Sequence, residues 1–494
     1  MRFVMVCREG HLADVPWQRW AHAGADAPAQ KQCQDSALEF VTRSSAGSGL
    51  ASLVVRCRTC KASASLAGIS GPGSMKRFGI RCRGLQPWQV PRDETAHDET
   101  PEVVQRGASN VHFAQIESAI DIPPESRHAE FSEITLRVTS HAYFQAIMSN
   151  PTSPVVDGLI AGMALDLDVG ESAIRDAIHA EVARQAGSTT AGPTGDPDDL
   201  QAAEWTAFIT PFTGADERDK FITRHVAIDT SAMGVRQAHV VDALLSSFDR
   251  IVLATRLREV RALTGFSRLD PGETVVLPDL GRGLGWLPAT EVFGEGVFLA
   301  LTEDRIAKWE RGTAADRVAI LVQRRAASFI GGRLPQVSPR LVLLHTLAHL
   351  LIRQLAFESG YASASLRERI YARDPSTGRP QAGILIYTAA GDSEGTLGGL
   401  VRQGEPERLA PSLLALLQRA LWCSNDPICR DSPGQGIDGL NRGACHACAL
   451  VSETSCVMNN VMLDRSLVVG ATEPGVSFLE SSLRLAIAGD QRAS

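Results

Sequence analysis

Apolar and polar positions alternate differently in three parts of this 494-residue chain. Residues 1–95 combine short apolar runs with Gly, Trp and Cys, which predicts short strands and turns around a metal. Residues 96–330 carry mainly helical spacing, interrupted by a Gly/Pro/Thr/Asp tract at 187–199 that predicts a flexible loop. Residues 331–494 alternate helical and strand patterns, which predicts an α/β domain.

Individual elements follow from the same pattern. In the last part we expect a helix at 339–357, a strand at 383–388, a Gly-rich loop at 391–399, a helix at 407–422 and an amphipathic helix near 475–488. In the middle part, residues 246–263 are strongly amphipathic and are interpreted as a helical stretch, while 275–277 and 297–301 predict short strands. The predicted fold class is α+β: an N-terminal zinc module, a mainly helical middle and a C-terminal α/β domain.

The most apolar segment, residues 341–357, is interpreted as a buried helix and not as a membrane span. Ser338 is a good N-cap, and Pro339 suits the first helical position. The segment is short for a span and contains His345, His349 and Arg353. We therefore expect no membrane contact.

Composition and charge argue against some classes of function. Hydrophobic residues make up 44% of the chain, enough for packed cores. The net charge of −7 argues against autonomous DNA binding, which needs a basic surface. The sequence lacks the G-x4-G-K-[ST] pattern of an ATP-binding loop, and its N-terminal apolar run is too short for an export signal. These features predict a cytoplasmic protein that is not an ATP motor.

The ten cysteines form two clusters, between Cys7 and Cys82 and between Cys423 and Cys456. Disulfide scaffolds are small secreted domains with densely distributed cysteines. Two C-x2-C pairs in a large chain instead favour metal sites in a reducing compartment.

The C-terminal cluster has the spacing C-x5-C-x15-C-x2-C-x7-C. A C-x2-C turn presents two sulfur atoms from one tight loop, and tetrahedral zinc needs two further ligands. We expect Cys445, Cys448 and Cys456 to be three ligands, with Cys423 or Cys429 as the fourth. An all-cysteine site is normally closed, so a structural zinc is predicted. His446, inside the turn, is expected to point outward.

The N-terminal cluster predicts a second zinc. Its expected ligands are Cys33, Cys57, Cys60 and Cys82, which form a single-pair-single pattern. Cys7 and His11 are further candidates, although Cys7 is equally well explained as a small buried residue.

A resemblance appears at the C-terminal cluster. The run from Cys445 to Arg465, with Asn460 and Leu463-Asp464, resembles a domain at the end of certain superfamily-two DNA helicases. The similarity to the stand-alone version, the DrmB family of the DISARM anti-phage defence system, extends further along the chain. It includes Cys7-x2-Gly10-His11, residues 106–110, residues 257–260, Trp286-Leu287-Pro288 and residues 294–296.

The resemblance implies a non-catalytic accessory subunit. Such a subunit partners a superfamily-two, DrmA-like helicase and helps to engage foreign DNA through the complex. It also implies that ATP hydrolysis belongs to the partner.

Two other interpretations remain open. A metal-dependent nuclease or phosphodiesterase would use the pocket near His345, His349 and Asp392. His345 and His349 also have the spacing of the metalloprotease motif H-E-x-x-H, but Thr346 replaces its catalytic Glu, so a metalloprotease is disfavoured. A pure scaffold would have no DNA contact. Five arginines are candidate contacts for phosphate or a partner protein: Arg256, Arg258, Arg261, Arg324 and Arg325. The simpler interpretation is that they lie on solvent-exposed helix faces.

Overall fold

A computed structural model gives the architecture of most of the chain. It describes residues 2–23, 33, 35–43, 49–84, 86–88, 98–122, 137–149, 155–167, 169–171, 174–175, 178, 197–211, 220–227, 230–231, 234–270, 274–278, 285–377, 380–388, 398–470 and 475–479. The described residues form two compact units, one made of residues 1–118 with 260–290 and the other of 119–259 with 291–494. The three-part division predicted at 95 and 330 stays a prediction.

The smaller unit is built on two small antiparallel sheets. The first has the order β2-β1-β6, and the second has the order β3-β4-β5. Their strands are β1 (Phe3–Val6), β2 (Leu12–Asp14), β3 (Leu38–Thr42), β4 (Leu53–Cys57), β5 (Ser63–Ser65) and β6 (Glu102–Gln105). Helix α1 (Trp17–His22) buries Trp17 and Trp20 in the core of this unit.

Most residues of a six-stranded sheet belong to the larger unit. Its order is β11-β12-β10-β9-β7, with β8 also pairing with β9. The strands are β7 (Phe113–Ile120), β8 (Ile222–His225), β9 (Phe248–Ser267), β10 (Ala289–Leu301), β11 (Leu366–Arg373) and β12 (Gln381–Thr388).

The described residues of the larger unit also form helices. They are α2 (Phe144–Ser149), α3 (Val156–Leu167), α4 (Pro197–Ile209), α5 (Val235–Leu245), α6 (Glu303–Glu310), α7 (Thr313–Ala327), α8 (Pro339–Ser359), α9 (Gly399–Gln403), α10 (Pro406–Ala420), α11 (Ile428–Asp431) and α12 (Ser466–Val469).

The sheet is covered on both faces at β12. On β12, Ile384 and Ile386 join the core that contains α8, whereas Leu385 and Tyr387 join a separate core on the other face, with Phe208 of α4. Successive side chains of a strand point to opposite faces, so a strand covered on both sides is apolar throughout. Every residue of β12 is buried for this reason.

Helix α8 is the central helix, and the sequence predicted it correctly. The Ser338 hydroxyl accepts a hydrogen bond from the Leu341 backbone N–H, 3.1 Å away, and Pro339 opens the first turn. Gly360 ends the helix in the left-handed region, with φ of 76°. By length and composition α8 would pass as a membrane span, but 78% of its most apolar window is buried inside the protein.

The mixed α+β class and several elements are confirmed, including the predicted helices at 339–357 and 407–422 and the strands at 297–301 and 383–388. The helix predicted within 246–263 is wrong, because this segment is the 20-residue strand β9. At 275–277 the structure has an isolated bridge between Val276 and Phe266. The predicted loop at 187–199 is wrong at 197–199, which begin helix α4, and residues 475–479 of the predicted last helix are not helical. The remaining parts of these predictions and the loop at 391–397 lie outside the described residues.

Candidate metal centres

Four cysteine sulfur atoms converge beside the C-terminal end of α10. Cys423 follows that helix, Cys429 lies in α11, and Cys445 and Cys448 belong to one tight turn. All four Sγ atoms lie within 4.8 Å of one another. The Sγ–Sγ distances are 3.5 Å for Cys423–Cys445 and 3.8 Å for both Cys429–Cys448 and Cys445–Cys448.

This geometry fits a zinc ion. Zinc–sulfur bonds of about 2.3 Å place the corners of a tetrahedron about 3.8 Å apart. The sulfur atoms are thus arranged as a four-cysteine zinc site requires. Cys423 and Cys429 both belong to this group. His446 is exposed, as predicted.

The four thiols differ in acidity. Burial opposes ionisation of Cys445, but hydrogen bonds from the Asn425 side chain and the Ala447 backbone lower the pKa of this thiol to about 6. Burial raises the pKa of Cys448 to about 11, and burial and the neighbouring Cys448 raise that of Cys429 as well. A bound divalent cation stabilises all four thiolates together, whereas neighbouring thiols cannot stabilise one another's negative charge.

A buried guanidinium holds the cysteine-bearing segments together. Arg465 donates to both carboxylate oxygens of Asp426 at 2.8 and 2.9 Å, to the Gly443 carbonyl at 3.2 Å and to the Ala420 carbonyl at 2.8 Å. Asp426 in turn accepts from the Cys423 backbone N–H at 2.9 Å. Arg465 therefore links the end of α10, the loop that carries Cys423 and the start of the cysteine turn.

The core helix α8 holds the other side of the same turn. Arg353 donates to the carbonyls of Ala447 and Leu450, each at 2.9 Å. One helical turn earlier, His349 Nδ1 lies 2.9 Å from the Ala449 carbonyl. The position of the turn is thus set in part by α8, a helix that is largely buried.

The structure places Cys456 elsewhere, which corrects the grouping expected from the sequence. Its Sγ lies with His345, His349 and Glu368, and the ligating atoms of this second group also lie within 4.8 Å of one another. All four residues are buried, and the burial of His345 lowers its imidazole pKa. The H-x3-H spacing indicates that His345 and His349 share one face of α8. The sequence does not indicate that Glu368 and Cys456 lie beside them.

The N-terminal cysteines also divide into two groups. Cys33, Cys57 and Cys60 lie with His22, whose Nε2 is 3.1 Å from the Cys60 Sγ. The Gln18 carbonyl lies 2.6 Å from His22 Nδ1, so the Nδ1 proton points to this carbonyl and the Nε2 lone pair faces the sulfur atoms. This set of three cysteines and one histidine suits zinc.

Cys82, the expected fourth ligand, is instead grouped with Cys7 and His11. Its Sγ lies 3.6 Å from that of Cys7. Sequence reasoning missed His22 because it ends a short helix and has no ligand-like spacing to the cysteines. Cys7 and His11, the further candidates of the sequence analysis, are the residues grouped with Cys82.

The candidate contact arginines lie in two settings. Arg256 and Arg258 are on the strand β9, and Arg258 pairs with Asp121 and with Glu291. Arg261 is on the same strand.

Arg324 and Arg325 instead bind backbone carbonyl groups. Arg324 donates to Pro433 and Gly439, and Arg325 donates to Leu334. Contacts with phosphate or a partner at any of the five arginines stay predictions. Asp392, expected near His345 in the nuclease interpretation, lies outside the described residues.

Comparison with known proteins agrees with the metal chemistry. Residues 347–449 match the MrfA Zn-binding domain, which contains the four-cysteine group, and residues 1–113 match a domain of unknown function (DUF8724). The fold and site therefore define a zinc protein that carries the MrfA-type domain.

One relative extends this match along nearly the whole chain. The DISARM protein DrmB of Bacillus paralicheniformis is 34% identical over 484 residues, which covers 95% of this chain and 80% of the relative. The chain belongs to the DrmB family.

Proposed function

We propose that this protein is a non-catalytic accessory subunit of an anti-phage defence complex. In this role it partners a superfamily-two, DrmA-like DNA helicase in the cytoplasm and helps to engage foreign DNA. Its similarity to a DISARM protein over 95% of the chain is the observation that carries the proposal. The MrfA-type zinc domain at residues 347–449 supports it, because it includes the start of the run from Cys445 to Arg465, which resembles a domain at the end of certain superfamily-two helicases.

The chemistry of the C-terminal metal-type groups favours a structural role over catalysis. A catalytic zinc needs an open coordination position for water or substrate. Four sulfur donors already complete a tetrahedron at Cys423, Cys429, Cys445 and Cys448. His345 and His349 each have 0% exposure, which disfavours their use in the nuclease alternative.

A groove beside the four-cysteine group is the surface that we assign to the partner. It has a volume of about 540 Å³ and is lined by Leu350, Phe357, Leu416 and Trp422, among others. Phe357 and Trp422 are 70% and 69% exposed, which is costly for large apolar side chains. Exposed aromatic residues around a groove are typical of interface hot spots.

The two amphipathic segments of the sequence, 246–263 and 475–488, do not provide this surface. The amphipathic segment 246–263 would have offered an apolar face to a partner, but in β9 its apolar residues Leu253 and Leu257 are buried within the protein. Of the segment 475–488, the described residues Val476, Phe478 and Leu479 are buried too.

DNA engagement is assigned to the complex. The net charge of −7 weakens the attraction of this chain for phosphate, so a basic helicase would supply most of the attraction. We expect affinity for DNA to rise when the helicase joins and to fall steeply with salt.

Co-expression with the neighbouring helicase, followed by size-exclusion chromatography, tests the partnership. Trp422→Ala should weaken the complex by about 2–4 kcal/mol, or roughly 30- to 700-fold in Kd, if this residue is a hot spot. Leu165→Ala is the matched control, because Leu165 is 84% exposed but lies on α3. Binding assays with DNA across a salt series complete the test.

Each outcome has a separate meaning. If the wild-type chain elutes alone in the presence of the helicase, the accessory-subunit proposal fails. If Trp422→Ala and Leu165→Ala bind the helicase equally well, only the groove assignment fails. Magnesium- or manganese-dependent DNA cleavage by the isolated chain, abolished by His349→Ala, would favour the nuclease alternative.

A further inference from the structure

We propose that His345, His349, Glu368 and Cys456 form a second, closed metal site that binds zinc, separate from the four-cysteine site. The four residues come from three parts of the larger unit: His345 and His349 lie one turn apart on α8, Glu368 is on β11, and Cys456 is in the loop after the cysteine turn. The site would join the core helix, the sheet and the zinc-binding segment at one point.

The separations between the donor atoms fit a shared ion. His345 Nε2 lies 3.2 Å from both the Cys456 Sγ and the Glu368 Oε1, and His349 Nε2 lies 3.6 Å from the Glu368 Oε2. Zinc–nitrogen and zinc–oxygen bonds of about 2.0–2.2 Å put tetrahedral corners about 3.3–3.6 Å apart. One ion at the centre would therefore reach all four donors.

The hydrogen bonds around the group orient both imidazoles as ligands. Backbone carbonyls lie next to the two Nδ1 atoms: Met462 O is 3.4 Å from His345 Nδ1, and Ala449 O is 2.9 Å from His349 Nδ1. A carbonyl only accepts, so each Nδ1 carries the proton and each Nε2 keeps its lone pair. Both lone pairs point toward the carboxylate and the thiol, which is the arrangement that metal-bound histidines adopt.

Without a cation this arrangement leaves buried polar atoms unsatisfied. Among the described residues, His349 Nε2 and Glu368 Oε2 have no hydrogen-bond partner, and both side chains are fully buried. The 3.6 Å between these two atoms is too long for a hydrogen bond. Unsatisfied buried polar atoms are costly, whereas a bound ion satisfies both of them.

The donor set also indicates which metal is bound. Two imidazoles, one carboxylate and one thiolate combine nitrogen, oxygen and sulfur, a set that suits borderline-soft zinc better than Mg²⁺ or Ca²⁺. The four protein ligands leave no position for water, and their burial excludes substrate. The site would therefore stabilise the fold and would not perform hydrolysis.

Native mass spectrometry of the full chain, purified without chelator, tests the site by counting bound metal. His349→Gln should lose one metal ion per chain and Cys448→Ser a different one, so the double variant should lose two. His446→Gln is the matched control, because His446 belongs to the same domain but is exposed. A folded His349→Gln variant with the wild-type metal content would overturn the proposal.

A second measurement covers the case in which His349→Gln does not fold. Crystals of the wild-type chain, measured at the zinc absorption edge, should show an anomalous peak between His345, His349, Glu368 and Cys456 in addition to the peak at the four-cysteine site. A peak at the four-cysteine site without the second peak would refute the proposed site and would favour a proton-mediated pairing of Glu368 with one imidazole.

Discussion

Replacing Arg465 with Met should loosen the whole zinc-binding segment, although Arg465 is not a metal ligand. Arg465 and Asp426 side chains are 3% and 11% exposed, and their two oxygen–nitrogen contacts are 2.8 and 2.9 Å. The variant leaves the Asp426 carboxylate buried without its cation and leaves the carbonyls of Ala420 and Gly443 without their donor. Breaking a buried pair in this way costs about 3–5 kcal/mol.

This cost should appear as faster zinc release. If zinc release needs local opening of the segment, a destabilisation of about 3–5 kcal/mol increases the population of the open state roughly 100- to 4,000-fold. Transfer of zinc from the purified chain to a chromophoric chelator measures that change directly. Hydrogen exchange over residues 420–465 should show the same loss of protection.

Two controls separate this effect from a general loss of charge. Arg430→Met removes an arginine from the same segment, but Arg430 is 46% exposed and pairs with an exposed Asp431, so the change should cost at most about 1 kcal/mol. The double variant Arg465→Met/Asp426→Asn should cost less than the sum of its single changes, because it leaves no buried unpaired charge. Equal zinc release from Arg465→Met and Arg430→Met would refute this account of Arg465.

Two further predictions follow from single contacts. Cys448→Ser should lower the zinc content by one ion per chain in elemental analysis, because it removes one corner of the four-cysteine tetrahedron; unchanged zinc would contradict the assignment. Ser338→Ala removes the N-cap of α8 and should cost about 1 kcal/mol, which speeds amide exchange in the first turn about fivefold, whereas Ser338→Asp should preserve protection.

Helix α8 was predictable because the signals that start and end a helix are local. Ser338 and Pro339 mark its first turn, Gly360 marks its end, and the apolar run between them is too long for a typical strand. The segment 246–263 has residues of the same kinds near its ends, Ser246 and Gly265, so these signals do not distinguish a strand from a helix there. There, Arg256 and Arg258 alternate with the buried Leu257 and Glu259, as strand residues do, but helical spacing of the apolar residues masked this alternation.

The metal groups show a different limit of sequence reasoning. Cys445 and Cys448 were predictable because a C-x2-C turn fixes two sulfur atoms locally. The remaining ligand candidates depend on long-range packing, which spacing does not specify. Cys456 follows Cys448 closely in the sequence, but its thiol lies beside His345 on the core helix. Glu368 lies beside these two residues because β11 packs against α8. This packing is a property of the fold and cannot be inferred from local sequence spacing.

Three polar residues on α8 hold the zinc-binding segment against the core. His345, His349 and Arg353 recur every four residues, so they share one face of a mainly apolar helix. Their backbone partners are the carbonyls of Met462, Ala449 and Leu450, all in the segment that carries the cysteine turn and Cys456. Burying such polar groups is favourable only when each has a partner. The H-x3-H-x3-R spacing is therefore explained by the docking of the zinc-binding segment onto the core, and it gives no support to a protease-like active site.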